Sequence, residues 1–116
     1  MDAEIKKRWV NALRSGKYKH GRGRLCTQFG HCAFGVLAEE LGSEVSGYSF
    51  IGLDYSYGAT KALFDTTNKI WYPSSLPTTY LEQIGLSRMQ ALKIIAKNDI
   101  ELQNFNEIAD YIKGVF

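Results

Sequence analysis

The spacing of apolar residues divides the chain into a helical start, a strand-rich middle and a helical end. Apolar positions recur every three to four residues over 3–15, with Ile5, Trp9 and Leu13 on one face. This period is typical of an amphipathic helix. The same period predicts helices over 32–41, 87–97 and 105–113, and a shorter one over 78–84. Gly42 lies where the second helix is expected to end.

Strands are predicted in the middle of the chain. Over 47–58, aromatic and aliphatic residues alternate with small ones, with turns at Gly52 and Gly58. Residues 24–27 and 69–72 fit short strands, whereas residues 60–65 fit no single period. A loop is predicted over residues 73–77. These patterns predict a single α+β domain over residues 1–116, with four main helices packed on a small antiparallel sheet.

Three local signals refine the helices. Ser87 with Gln90, and Asn104 with Glu107, have the spacing of a capping box at a helix start. Gly35 lies inside the second predicted helix, where a glycine costs roughly 1 kcal/mol relative to alanine. We therefore expect another backbone, or a ligand, to approach Gly35 closely.

Composition excludes several classes of protein. The chain has 116 residues, 45% of them hydrophobic, and no apolar run reaches the roughly 18–20 residues that cross a membrane. The N-terminus lacks the apolar stretch of a signal peptide. We therefore expect a cytoplasmic protein with no membrane partner and with Cys26 and Cys32 reduced. The two cysteines and two histidines lack zinc-site spacing, so we expect neither metal nor cofactor.

Charge is unevenly distributed along the chain. The formal net charge is +2, but residues 1–24 carry eight basic and two acidic side chains, whereas the remainder carries six basic and ten acidic ones. A basic end on an acidic body indicates an anionic partner at that end, although a solvated charged helix and loop would have the same composition.

Several segments, in this order, resemble a group of small phage and prophage proteins. The matching motifs are WVNALRSGKY (9–18), GRL (23–25), CAFGVL (32–37), LP (76–77), GLS (85–87), ND (98–99) and FNEIADYI (105–112). The group has no established activity, so the resemblance implies a mobile-element accessory protein and not a mechanism. Relatives often carry a Cys-Cys pair where this chain has His31-Cys32, so the resemblance extends to Cys32 and not to His31.

The first functional hypothesis is capture of a small phosphorylated, nucleotide-like ligand, as in a phage counter-defence protein. A helix N-terminus near residue 32 offers backbone N–H groups to a phosphate, arginines can hold its oxygens, and tyrosines can stack on a base. The predicted ligand-binding residues are Tyr18, Arg22, Gly23, Arg24, His31, Cys32, Tyr48, Tyr55 and Tyr57. We expect this non-catalytic function.

The second hypothesis is a cysteine-dependent hydrolase. A helix N-terminus lowers a thiol pKa, which favours Cys32 as nucleophile. His20 is the better candidate base, because His31 points about 100° away from its neighbour on a helix. Asp54, Asn98 or Asp99 could orient His20. The alternative is that Cys32, on the apolar stripe of the helix, belongs to the core.

The third hypothesis is an inhibitor that covers the surface of a host protein. Aromatic residues over 48–57 with arginines nearby would suit such an interface. Nucleic-acid binding is disfavoured, because the last helix carries Glu107 and Asp110 against Lys113 alone. A homo-oligomer is a further expectation, since aromatic-rich strands leave edges that can pair.

Overall fold

The computed structural model describes residues 1–53 and 58–116. These residues form five helices around an antiparallel sheet. The helices are α1 (Ala3–Arg14), α2 (Ala33–Leu41), α3 (Thr78–Ile84), α4 (Arg88–Asp99) and α5 (Phe105–Val115). The strands are β1 (Cys26–Thr27), β2 (Gly30–His31), β3 (Tyr48–Gly52), β4 (Lys61–Asp65) and β5 (Ile70–Tyr72).

Helix α2 forms the centre of the core. Seven of its nine residues are buried, and it packs against α1 and α4. The indole N–H of Trp9 on α1 donates to the carbonyl oxygen of Ala33 at 2.8 Å, and its ring stacks on Phe34. Because a buried indole N–H needs an acceptor, this bond fixes how α1 crosses the start of α2.

Gly35 allows strand β1 to lie directly on α2. A Cβ atom at this position would stand 1.7 Å from the carbonyl oxygen of Leu25, so no larger residue fits without moving the backbone. The expected close approach to Gly35 is therefore made by the backbone that leads into β1. That same Leu25 oxygen accepts the N–H of Cys32 at 3.2 Å.

The sheet has β4 at its centre. The strand order is β2-β1-β4-β3, and β5 also pairs with β4. At the start of β4, Lys61 lies opposite Cys26 of β1 on one side and Gly52 of β3 on the other. Strand β5 pairs with the end of β4. All of these pairings are antiparallel.

The predicted α+β class is confirmed, and the predicted number of helices is wrong. The described residues hold five helices because 78–84 forms α3, closed by Gly85 in a left-handed conformation. Both predicted capping boxes are present, at Ser87 and Asn104. Residues 30–31 form a strand and not the first turn of a helix, and α2 begins at Ala33. Residues 61–65, which fit no single period, form β4.

Candidate functional site

The basic segment 17–24 folds back over the hairpin formed by β1 and β2. The N–H of His31 donates to the carbonyl oxygen of Lys19 at 2.8 Å, and the N–H of Gly21 donates to that of His31 at 2.7 Å. Gly30 makes this crossing possible, because a Cβ atom there would stand 2.5 Å from the Lys19 oxygen. The segment therefore brings His20 and its neighbours onto the start of α2.

Four side chains form a connected polar group that we call the Cys26 cluster: Cys26, His31, Glu39 and Lys61. Cys26 and His31 face each other across the β1–β2 pair, which puts their side chains next to each other on one face of the sheet. His31 Nε2 lies 3.3 Å from Glu39 Oε1, and Lys61 Nζ donates to Glu39 Oε2 at 2.5 Å. The order along the cluster is thiol, imidazole, carboxylate and ammonium.

The pKa shifts within the Cys26 cluster favour its charged forms. Burial alone raises the pKa of the Cys26 thiol, but hydrogen bonds to His31 and Thr60 outweigh it and lower that pKa overall. Burial lowers the pKa of His31, whereas its contacts with Cys26 and Glu39 raise it overall. The pKa of Glu39, raised by burial, is lowered overall by Lys61 and His31. These directions match a thiolate–imidazolium pair held by a carboxylate.

Aromatic rings and a hydroxyl surround the Cys26 cluster. The ring of Tyr18 packs edge-on against His31 with 4.9 Å between centroids, and its hydroxyl hydrogen-bonds Glu40. Lys61 Nζ lies 5.2 Å from the centre of the Phe50 ring. Thr60 Oγ1 lies 3.3 Å from the sulfur of Cys26. Tyr18 and His31, two of the predicted ligand-binding residues, are therefore in contact.

The Cys26 cluster lies at the surface. The side chains of His31, Glu39 and Lys61 are 16%, 28% and 31% exposed, whereas Cys26 itself is nearly covered. The hairpin that carries Cys26 and His31 ends in Phe29, which is 74% exposed. The thiol therefore lies just beneath a polar surface with an apolar side chain beside it.

A second group, which we call the Asn98 cluster, lies where segment 17–24 meets α2 and α4. The buried side chain of Asn98 accepts from His20 Nε2 at 2.6 Å and from the N–H of Ala33 at 3.1 Å. It donates to the carbonyl oxygen of Gly21 and to Asp99 Oδ1. The Asn98 amide thus joins segment 17–24, α2 and α4. Asn98 is also one of the three residues named above as able to orient His20.

The remaining contacts of the Asn98 cluster hold the basic segment in place. His20 stacks on Phe105 with 4.0 Å between ring centroids, and burial lowers its pKa. Arg22 Nε donates to the carbonyl oxygen of Asn98 at 2.9 Å, and the N–H of Gly23 donates to Asp99 Oδ1 at 3.1 Å. These contacts fasten the segment to the end of α4.

Cys32 is the N-cap of α2 and belongs to the core. Its sulfur accepts the N–H of Gly35 at 3.4 Å, and burial raises the pKa of its thiol to about 11. The cavity beside it measures about 10 Å³, which holds at most one water molecule. The dipole of α2 therefore does not activate this thiol, and of the two environments weighed for Cys32, the core environment is the one observed.

The predicted ligand-binding residues within 1–53 and 58–116 fall into separate groups. Tyr48 is buried, hydrogen-bonds Thr79 and packs on Tyr80 of α3, so it faces the core. Arg22 and Gly23 belong to the Asn98 cluster, and Arg24 is exposed, with its NH1 3.4 Å from the Gly23 oxygen. Tyr55 and Tyr57, like the candidate Asp54, lie outside the described residues.

Sequence reasoning missed Cys26, Glu39 and Lys61. The pairing of Cys26 with His31 depends on a hairpin whose two connecting residues are Gln28 and Phe29, a dipeptide that carries no turn signal. Glu39 is one of two consecutive acids on α2, and only the packing of the sheet selects it over Glu40. The one available signal was the spacing of a thiol and an imidazole on either side of a short connection that is followed by Gly30.

Residues 1–53 and 58–116 contain no group of three or more His, Cys, Asp or Glu side chains placed to hold a metal ion. None of their helices combines the length and apolar character needed to cross a bilayer.

Comparison with curated proteins and with solved structures gives no match. A family model described as a domain of unknown function (DUF8296) matches residues 1–51, less than half of the chain. This stretch contains α1, the β1–β2 hairpin and α2. The first part of the chain is therefore similar to that domain, and the similarity takes in Cys26, His31 and Glu39.

Proposed function

We propose that this protein performs thiol-dependent acyl transfer or hydrolysis at Cys26. The observation that carries the proposal is the placement of three side chains: Cys26 and His31 stand opposite each other across the β1–β2 pair, and His31 Nε2 lies 3.3 Å from Glu39 Oε1. A nucleophile hydrogen-bonded to a base, with the base oriented by a third group, is the signature of nucleophilic catalysis. This proposal assigns the nucleophile to Cys26, whereas the alternative hydrolase hypothesis from the sequence assigned it to Cys32.

Each group of the Cys26 cluster has a role in the proposed reaction. His31 takes the proton of the Cys26 thiol, and the thiolate attacks an acyl carbon, forming a thioester. His31 then gives that proton to the leaving group as its bond to the acyl carbon breaks. A water molecule, deprotonated by His31, hydrolyses the thioester and regenerates the thiol. Glu39 holds the imidazole through Nε2, and Lys61 keeps Glu39 ionised.

The cysteines themselves provide the first test. In a Cys32→Ser background only Cys26 remains, and its alkylation by iodoacetamide is followed by mass spectrometry as pH is varied. We expect the rate to reach its plateau at a lower pH than for an ordinary thiol. His31→Asn should move that profile to higher pH, because it removes the partner that favours the thiolate.

His20→Asn is the matched control, since His20 contacts Asn98 and Phe105 and not Cys26. It should leave the alkylation profile in place. An unchanged profile in His31→Asn would overturn the proposal.

Turnover is tested with a panel of chromogenic esters, thioesters and amides. Cys26→Ala should abolish release of the chromophore, and Cys32→Ser should retain it. Hydrolysis that survives Cys26→Ala would show that the activity resides elsewhere. If no substrate of the panel is turned over, the proposed reaction at Cys26 is contradicted.

Five expectations from the sequence stay predictions: the nucleotide-like ligand, the host-protein partner, the homo-oligomer, the cytoplasmic location and the phage context. The described geometry favours the thiol reaction over a ligand site built from the predicted residues. This preference rests on where two of the predicted tyrosines lie: Tyr48 faces α3, whereas Tyr18 contacts His31 and Glu40.

A further inference from the structure

An open groove of about 730 Å³ lies along α1 beside the end of α5, apart from the Cys26 cluster. Its lining includes Lys6, Lys7, Val10, Asn11, Arg14 and Lys113. Four of these six side chains are cationic and none is acidic. The volume falls within the range of roughly 300–1,000 Å³ that is usual for small-ligand sites.

The positive charge of this groove is largely uncompensated. Among the residues that the structure describes, Lys6, Lys7 and Lys113 have no acidic partner within 4.0 Å. Arg14 is bound to Asp110 at 2.6 Å, which positions its guanidinium at the groove edge. The rest of the groove keeps its excess of cations available to an anion.

The opposite flank of α1 is neutralised. Arg8 there forms a double contact with Glu44, at 2.8 and 2.9 Å, and donates to the carbonyl oxygen of Glu40. The uncompensated positive charge of α1 therefore lies on the side of the helix that faces the groove.

We propose that this groove binds a nucleoside triphosphate. Lys7 and Arg14 are seven residues apart, roughly 10 Å along the helix axis, so several linked phosphates are needed to reach both. Ala3 and Val10 supply an apolar surface for the rest of the ligand. Lysines act as point charges for phosphate oxygens, and an arginine adds directional donors.

A nucleic acid strand fits this groove less well. A strand continuing along α5 from Lys113 towards the start of that helix would meet the exposed carboxylate of Glu107. Like charges at that position oppose a long polyanion, whereas a small one ends before reaching them.

Equilibrium binding of ATP to the full chain tests this proposal without using the thiol of Cys26, so it stands or falls independently of the proposed reaction. We expect ATP to bind, AMP to bind more weakly and adenosine not to bind, with affinity falling as salt rises. The double variant Lys7→Gln/Lys113→Gln should lose affinity roughly tenfold or more.

The matched control is Lys19→Gln/Lys93→Gln, which removes the same charge from exposed positions outside the groove. It should keep the affinity of the unaltered protein. Equal loss in both variants, or no loss in either, would overturn the groove as the site. No ATP binding at low salt would overturn the proposal, and so would a short single-stranded oligonucleotide that binds where ATP does not.

Discussion

The two cysteines of this chain are six residues apart and occupy opposite chemical environments. Cys26 lies on a short strand beside an imidazole whose pKa is raised, and its own thiol pKa is lowered. Cys32 caps the central helix among apolar residues, and its pKa is raised to about 11. Both residues are nearly inaccessible, so burial alone does not separate them.

The partners of each thiol account for the difference. Cys32 receives backbone N–H groups at a helix start, and these do not overcome its desolvation. Cys26 faces an imidazole whose pKa is raised by its contacts with Cys26 and Glu39, and a partner that favours its charged form stabilises a thiolate more than neutral donors do. A helix N-terminus is therefore a weaker guide to a reactive cysteine than an imidazole with its own acidic neighbour.

The largest predicted effect comes from the glycine that joins the two regions. Gly35→Ala places a Cβ atom 1.7 Å from the Leu25 oxygen, which forces β1 away from α2 and separates both clusters. We expect a loss of about 3 kcal/mol or more in the free energy of unfolding, measured by urea denaturation.

Gly114→Ala is the matched control for this substitution. No atom outside its own helix backbone and chain neighbours lies within 4 Å of a Cβ at that position, so alanine should be neutral or stabilise by about 0.5 kcal/mol. Equal stability of the two variants would contradict the packing of β1 on α2.

The second largest expected effect tests whether the Asn98 cluster has a structural role. Asn98→Ala removes the acceptor of the buried Ala33 N–H and of His20, so we expect a loss of about 2–3 kcal/mol. Asn106→Ala, at an exposed position on α5, should change stability by less than about 0.5 kcal/mol. The alkylation profile of Cys26 should persist in folded Asn98→Ala protein. Its loss would mean that the two clusters are not independent.

The helices of this fold are largely visible in the sequence, because their signals are local. The period of apolar residues, the capping boxes at Ser87 and Asn104 and the glycines after α2 and α3 all act within a few residues. The strands are less visible. Residues 61–65 carry no clear period because β4 is paired on both sides and buried at three of its five positions.

The candidate site is less predictable than the fold for the same reason. Cys26, Glu39 and Lys61 come from a strand, a helix and another strand, and only the packing of α2 under the sheet brings them together. The resemblance directed attention to Cys32, which in the structure caps α2 and fills space in the core. Asn98, which contacts His20, is one of three residues that the sequence analysis names as able to orient this histidine, because no local signal sets the distances among them.

A smaller effect sharpens the contrast between the cysteines. Cys32→Ala removes the side chain that accepts the Gly35 N–H and should cost about 1 kcal/mol, whereas Cys32→Ser supplies a better N-cap and should stay within about 0.5 kcal/mol of the original protein. Thermal unfolding of the two variants measures this difference. A serine variant as unstable as the alanine variant would show that packing of the sulfur, and not capping, is its main contribution.

The smallest effect is a difference in pH dependence between the two histidines. The folded-state pKa of His31 is raised, so its contribution to stability is present below about pH 6.5 and is lost as pH rises through that higher pKa. The folded-state pKa of His20 is lowered by burial, so its contribution is present above about pH 6.5 and is lost as pH falls towards that lower pKa.

Urea unfolding between about pH 5 and 8 measures both signs. The stability gap between the original protein and His31→Asn should narrow as pH rises, and the gap to His20→Asn should widen over the same range. Because each gap is a difference from the same parent, titration of all other groups cancels to first order. If both gaps narrow, both rings favour the protonated form in the folded protein; if both widen, both favour the neutral form. Either result would contradict the distinction between the Cys26 and Asn98 clusters.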